Sequence, residues 1–175
     1  MLAPKRSRIR RVAVLSDSHG IVQNGVLEAI RDADLIVHAG DVGSSLVLDE
    51  LAKIAPVVAV AGNNDNRSKW RRCEHARLEE LPEVQEIGLP GGLLAVIHGH
   101  QWPKLSSRHA KARQKFPYAR CVVYGHSHRL VVDRDEEPWV VNPGACGCSR
   151  TYGGANWLGL TACLGKWALS KSRFD

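Results

Sequence analysis

The 175-residue sequence has no apolar stretch near the roughly 18 residues that a bilayer span needs, and its first residues lack the apolar core of a signal peptide. Membrane-spanning and secreted classes are set aside, and a cytoplasmic protein is expected. A disulfide framework is missing too. Five cysteines are an odd number, and without a secretory signal they are expected to stay reduced. Cys146 and Cys148 stand in Cys-x-Cys spacing, but no second pair completes a structural zinc site. There is no internal repeat at solenoid spacing, no low-complexity segment and no internal linker, which excludes a repeat array.

What is present suits one folded unit of ordinary size. Hydrophobic residues make up 44% of the chain and charged residues 24%, a composition that excludes a largely disordered protein. The expected division is a basic arm over residues 1–11, a single domain over 12–170 and a short tail over 171–175. Lysine and arginine total 24 against 18 acids, a formal charge of +6. Such an excess attracts nucleic acid and a phosphorylated small molecule alike. Much of it lies in Lys5-Arg6-Ser7-Arg8-Ile9-Arg10-Arg11 and in Arg67-Ser68-Lys69-Trp70-Arg71-Arg72, read first as solvated segments.

The run Val12-Ala13-Val14-Leu15 reads as a strand buried on both faces, ending in the polar turn Ser16-Asp17-Ser18-His19-Gly20. One-sided apolar spacing predicts a helix from about Val22 to Asp32. A second strand, Leu35 to Ala39, ends in Gly40-Asp41, and a second helix runs from about Leu46 to Ile54, where Pro56 stops it. A third strand, Val57 to Ala61, ends in Gly62-Asn63-Asn64-Asp65. These repeats predict a right-handed parallel sheet with polar residues gathered at one edge, where open α/β sheets bind ligands.

Residues 67–82 read as a loop with at most a short helix. The hairpin signal Pro90-Gly91-Gly92 joins two strands, the second ending in His98-Gly99-His100. A polar helix over about 104–116 precedes the strand Cys121 to Tyr124, which ends in Gly125-His126-Ser127-His128. Short strands fill the rest, so the second half is expected to form its own mixed or antiparallel sheet. The fold class predicted is α/β, with two sheets and helices outside both.

Five strand ends thus carry metal-ligand side chains, each near a glycine: Asp17 with His19, Asp41, Asn63, His98, and His126 with His128. Two carboxylates, one amide oxygen and four imidazoles, without thiolate, suit manganese, iron, zinc, nickel or cobalt. Seven donors are too many for one transition ion and fit two, above all if one aspartate bridges them. A pair of ions can activate a water and hold both oxygens of a phosphoryl transfer.

The ordered set Asp17-Ser18-His19, Gly40-Asp41, Gly62-Asn63-Asn64-Asp65, His98-Gly99-His100 and Gly125-His126-Ser127-His128 resembles that of the calcineurin-like metallophosphoesterases, in their small single-domain phosphodiesterase branch. The resemblance spans roughly Val12 to Ala145. It implies a four-layer sandwich of two mixed β-sheets flanked by helices, and a phosphodiesterase holding two divalent ions, manganese first. It assigns Asp17, His19 and His128 to one ion, Asn63, His98 and His126 to the other, and Asp41 to both.

Asn142-Pro143-Gly144 resembles the turn that follows the family's last ligand motif, and Ala145 stands where serine is common. Asn64 occupies the place of a histidine that can protonate a leaving oxygen, which an asparagine cannot do near neutral pH. Asn64 and His100 are therefore the two candidates for assisting the leaving group, with His100 expected behind the ligands. His38 is expected to be packed or hydrogen-bonded, His75 and His109 to be solvated, and Trp102 either to wall the pocket or to be half-buried. The alternatives are a scaffold of the same fold, which in the retromer coat binds protein partners, and a nuclease using the basic arm. A monomer and a homodimer are both compatible with the sequence.

Overall fold

In the computed structural model, which describes residues 10–174, the first apolar run is the central strand of a five-stranded sheet. β1 (Arg10–Leu15) turns Val12 and Val14 to one face and Ala13 and Leu15 to the other, and all four are buried. It pairs in parallel with β2 (Leu35–His38), which pairs in parallel with β3 (Val57–Ala59). The crossovers carry α1 (Asn24–Ala29) and α2 (Ser45–Ala52), as the periodicity predicts. Both are shorter than expected. α1 has no side-chain cap and no first-turn acid, so the packing of Val26 and Ile30 under it, more than intrinsic propensity, holds its six residues.

A 3-10 turn (Arg72–Glu74) and α3 (His75–Glu79) occupy the stretch read as a loop with at most a short helix. β4 (Val84–Leu89) and β5 (Gly92–Ile97) form the expected antiparallel hairpin. α4 (Leu105–Lys115) then leads to β6 (Cys121–Val123), β7 (Leu130–Asp133) and β8 (Trp139–Pro143). The second sheet has the order β4-β5-β6-β8-β7 and is mixed, with β5, β6 and β8 parallel to one another.

The last two strands depart from the expectation that the second half forms its own sheet. β9 (Ala155–Ala162) crosses back to pair antiparallel with β1, and β10 (Trp167–Phe174) pairs with β9. The first sheet therefore reads β10-β9-β1-β2-β3. β10 also takes up residues 171–174, where a tail was expected, because the hairpin register keeps Lys171 opposite Leu158 and Phe174 opposite Ala155. Arg10 and Arg11 of the expected basic arm belong to β1, and the rest of that arm lies outside the described residues.

Three apolar clusters separate four layers. Ala13, Leu15 and Ile36 pack beneath Val26, Val47 and Leu51 of the first two helices. Val12, Val14, Val37, Leu94, Val96, Val123 and Leu158 fill the space between the sheets. Ala95, Ile97, Val122 and Val140 meet Ala112 and Phe116 on the outer face of the second sheet. The fold is the α/β four-layer sandwich of two mixed sheets flanked by helices that the sequence predicts. Among the described residues no helix is long and apolar enough to cross a membrane.

One tie fixes the start of α2. Glu74 Oε1 accepts from Ser44 Oγ at 2.7 Å and from both the amide and the hydroxyl of Ser45 at 2.8 Å, while Oε2 accepts from the Arg71 amide at 3.2 Å. The Ser44 hydroxyl bond, with those of Ser45 and Arg71, outweighs the cost of burial and holds the Glu74 carboxyl down at about 2. A carboxyl depressed in the folded state stabilises it above the unfolded pKa, and that stability fades as pH falls from about 4.5 toward about 2. Glu74→Gln is therefore expected to lose about 1 kcal/mol at pH 7. Urea denaturation of both proteins at pH 7 and pH 3 checks this; the gap between them shrinks at the lower pH.

Candidate metal centre

The parallel strands deliver their turns to one edge, and a ladder continues between the turns after the strands end. The amide of Asp17 donates to the Gly40 carbonyl at 3.0 Å, that of His19 to Asp41 at 2.9 Å, and that of Gly20 to Val42 at 2.8 Å. The backbone is tightly wound there. Asp17, His19, Asp41, His126 and His128 have φ of 54°, 49°, 54°, 67° and 57°. A non-glycine residue in this left-handed region costs about 1–3 kcal/mol. The glycines matter at the points of closest approach: a Cβ on Gly62 would collide with the Asp41 carboxylate and amide.

The turns bring two groups of donor atoms together around one carboxylate. Asp17, His19, Asp41 and His128 each offer an atom, and these atoms lie within 4.8 Å of one another. His128 Nε2 is 3.3 Å from Asp17 Oδ1 and 3.1 Å from His19 Nε2. On the other side Asn63 Oδ1 lies 3.2 Å from His98 Nε2 and 3.0 Å from His126 Nδ1. Asp41 Oδ2 belongs to both groups, 3.8 Å from His19 Nε2 and 3.3 Å from His98 Nε2. All seven residues that the sequence singles out thus converge.

Two of the imidazoles have fixed tautomers. His98 Nδ1 lies 2.8 Å from the Ala39 carbonyl and His128 Nδ1 lies 2.9 Å from the Ser149 carbonyl. A carbonyl only accepts, so each Nδ1 donates to it and each Nε2 is the nitrogen turned to the centre, that of His98 toward the Asp41 carboxylate. His128 Nε2 takes a further bond, from Arg150 Nη2 at 2.9 Å.

A calcineurin-like phosphoesterase superfamily domain model matches residues 11–162, which include every one of these turns. The chain belongs to that superfamily. Divalent metals are the family's cofactors, and the mixed oxygen and imidazole donors here fit such ions. A probable metallophosphoesterase of Methanothermobacter thermautotrophicus is 32% identical over 139 residues, covering 77% of this chain and 76% of that one. A protein named as a phosphodiesterase in Methanocaldococcus jannaschii is 26% identical over 151 residues, or 78% of this chain and 84% of its own length. Among solved structures, Vacuolar Protein Sorting 29 from Cryptosporidium parvum superposes with a TM-score of 0.73 at 17% identity, covering 95% of this chain and 98% of that one. At that identity the likeness concerns the fold.

Burial governs the electrostatics of the family's centre in this chain. It pushes the Asp17 carboxyl up to about 7, against the opposing pull of His98 and of the Ser16 hydroxyl 2.7 Å away. Burial acts the same way on Asp41, but hydrogen bonds from His98 and Asn64 outweigh it and hold that carboxyl well below the usual range. His126 and His128 are brought down to about 4 mainly by burial, and His19 and His100 are lowered by the same cause. His98 runs the other way: burial lowers it, yet Asp41 and Asp17 together raise it.

Asn64 faces inward. Its amide N–H donates to Asp41 Oδ1 at 2.8 Å and its Nδ2 to Asp41 Oδ2 at 2.6 Å, while its Oδ1 accepts from Lys69 Nζ. His100 is half-buried, its ring centroid 5.6 Å from that of His98 and 6.3 Å from that of His126. His38 is fully buried, with Nε2 2.9 Å from the Ser18 hydroxyl. Trp102 is more deeply buried than expected and belongs to the apolar cluster on the outer face of the second sheet.

His75 and His109 are not simply solvated. His75 Nε2 lies 3.2 Å from the carbonyls of Arg67 and Trp70, and His109 bridges Asp133 at 2.7 Å and Tyr124 at 3.1 Å. Asn142 has a clear part: Nδ2 donates to the Gly125 carbonyl at 2.6 Å and Oδ1 accepts from the Gly144 amide at 2.8 Å, which fixes the His126 turn against the end of β8. Ala145, in the place of serine, is buried.

Two residues near the centre, Asp65 and Arg150, have no role legible in the sequence. Asp65 Oδ2 accepts from the amides of Val42 at 3.1 Å and Gly62 at 2.8 Å, and Oδ1 from the Gly43 amide at 2.9 Å and Trp70 Nε1 at 3.1 Å. One carboxylate thereby locks the Asp41 turn to the Asn63 turn. Its place two residues after the candidate ligand Asn63, inside the same motif, is the signal that could have marked it. Asp65→Asn turns one acceptor into a donor facing donors, so a loss of about 2–3 kcal/mol in urea-unfolding free energy is expected. A change under about 0.5 kcal/mol would show that the two turns hold together without it.

Proposed function

We propose that the chain is a dinuclear metal-dependent phosphodiesterase, with manganese as the first candidate ion and iron, zinc, nickel or cobalt as alternatives. The observation that carries the reading is the position of Asp41, whose Oδ2 serves both donor groups. Asp17, His19 and His128 would complete the site of one ion, and Asn63, His98 and His126 that of the other. When bound, the ions supply charge neutralisation for the phosphoryl oxygens and an activated water.

The chain's own residues do the rest. The carbonyls of Ala39 and Ser149 hold His98 and His128 in the tautomer that presents Nε2. Asn64 acts as a positioning residue: its backbone N–H and an Nδ2–H go to Asp41, so it orients the shared carboxylate, and an amide has no proton to give a leaving group. His100 is the group left for that task. Its Nδ1 is buried with no partner among the described residues, so Nε2 is the nitrogen available to an incoming ester. Because burial and the neighbouring His98 lower its pKa, a neutral imidazole assists by hydrogen bonding more than by full proton transfer.

Removing the shared carboxylate tests the reading most directly. Asp41→Ala is expected to lose both ions, whereas Asp17→Ala weakens one site more than the other; metal analysis after removal of adventitious ions, with circular dichroism to confirm the fold, measures both. An active, chelator-resistant wild type with no bound metal would refute the proposal.

The two histidines of the His98-Gly99-His100 turn are expected to separate. His98→Ala lowers metal occupancy, while His100→Ala keeps two ions and slows diesters with basic alcohol leaving groups on the order of 10²-fold, within the usual range for acid–base assistance. Turnover of nitrophenyl diesters should hardly change in His100→Ala. Equal slowing of both substrate types would remove His100 from leaving-group assistance.

A further inference from the structure

We propose that Arg150 anchors the phosphoryl group of the substrate through its non-bridging oxygens, on the side of the centre formed by His19 and His128; this deepens the phosphodiesterase reading and rests on it. Arg150 is exposed, and its Nη2 donates to His128 Nε2 at 2.9 Å. That nitrogen has one lone pair, because the other ring nitrogen is protonated by its bond to the Ser149 carbonyl. The lone pair that receives Arg150 is the one that would ligate an ion. The two uses exclude each other, so ligation by His128 leaves the guanidinium without this partner.

No other partner is waiting for it. Among the described residues no carboxylate pairs with Arg150, and its bond to His128 is the only side-chain hydrogen bond it makes. A guanidinium stays charged and carries five donors with no acceptor, in a fork that matches two oxygens of one phosphoryl group. The cation across the centre differs in this respect, since Lys69 already donates to Asn64 Oδ1. Two residues on in the same loop, the half-exposed Tyr152 carries the guanidinium of Arg129 4.9 Å over its ring, so a second positive charge lies against this loop.

The loop that carries Arg150 is held in place and does not depend on the arginine for its shape. The Cys146 amide donates to the Ser16 carbonyl at 3.0 Å, the Gln23 amide to the Cys146 carbonyl at 3.1 Å, and Gln23 Nε2 to the Gly147 carbonyl at 3.2 Å. A Cβ on Gly147 would collide with the Ser18 carbonyl, so the loop lies directly against the Asp17 turn. At its far end Asn156 Nδ2 donates to the Gly154 carbonyl at 2.7 Å. A side chain on such a frame is presented to the centre at small cost in ordering.

The test uses the whole chain loaded with two equivalents of manganese and freed of excess, with inorganic phosphate as the probe and calorimetric titration as the readout. Arg150→Ala is expected to keep two ions, with affinity no weaker than in the wild type, and to bind phosphate on the order of tenfold to a hundredfold more weakly. Arg150→Lys should recover part of that loss as a point charge. Two ions and undiminished phosphate affinity in Arg150→Ala would overturn the proposal and leave the phosphodiesterase reading intact. Loss of ions from Arg150→Ala would overturn it as well, because the arginine would then be a support of the ligands. A wild type that takes up none of manganese, iron, zinc, nickel and cobalt would bring down the underlying reading and this proposal with it.

Discussion

Left-handed backbone at five candidate ligand residues is the constraint on which the rest depends. Asp17, His19, Asp41, His126 and His128 sit in a region that most side chains avoid; aspartate and histidine enter it more readily than others, but that local preference alone does not hold all five there. Long-range bonds do so instead. The ladder from Asp17 to Gly40, the Asp65 carboxylate across the Asp41 and Asn63 turns, and the Asn142 amide behind His126 each join segments distant in the chain. Such a set of turns persists only in a scaffold that determines each of them more than once.

The same burial that strains the turns also selects their charge state. Imidazoles taken out of water lose their protons, so His19, His126 and His128 are neutral near pH 7 and offer lone pairs. Asp17 moves upward with burial and Asp41 downward with its hydrogen-bond donors, so the two carboxylates are far apart in their hold on a proton. The carboxylate shared between the donor groups is the one kept charged. Neutral imidazoles and an ionised carboxylate are the forms that a divalent ion takes up without proton release.

The sequence carries the first half of the architecture openly. Continuous apolar runs at Val12 to Leu15 and Leu35 to Val37 mark strands covered on both faces, and the polar turn that follows each strand is legible as a common edge. The seven converging residues follow from that edge and from the spacing of the motifs. Other features rest on contacts between remote segments and have no local signature. β9 alternates like any strand, and only its pairing with β1, far back in the chain, tells which sheet it joins. His109 lies in a charged helix, and its place between Asp133 and Tyr124 depends on a strand 24 residues on. Arg150 is one basic residue in a small-residue loop, and its meaning arises from a 2.9 Å contact with a histidine in another turn.

The return of β9 to β1 bears on when the centre can exist. β1 carries the Asp17 turn and is the middle strand of its sheet, flanked by β2 on one side and β9 on the other. The pairing of Arg10 with Ala162 closes a loop of about 150 residues, and such contacts carry a high entropic cost that slows folding. During synthesis, the parallel half with β2 and β3 can form early, but β1 keeps an open edge until the ribosome has delivered residue 162. An exposed edge of Val and Leu is a template for pairing with other chains. The strand that leads into the first candidate ligands thus keeps one edge open until late, and the nascent chain passes most of its synthesis with that edge unguarded.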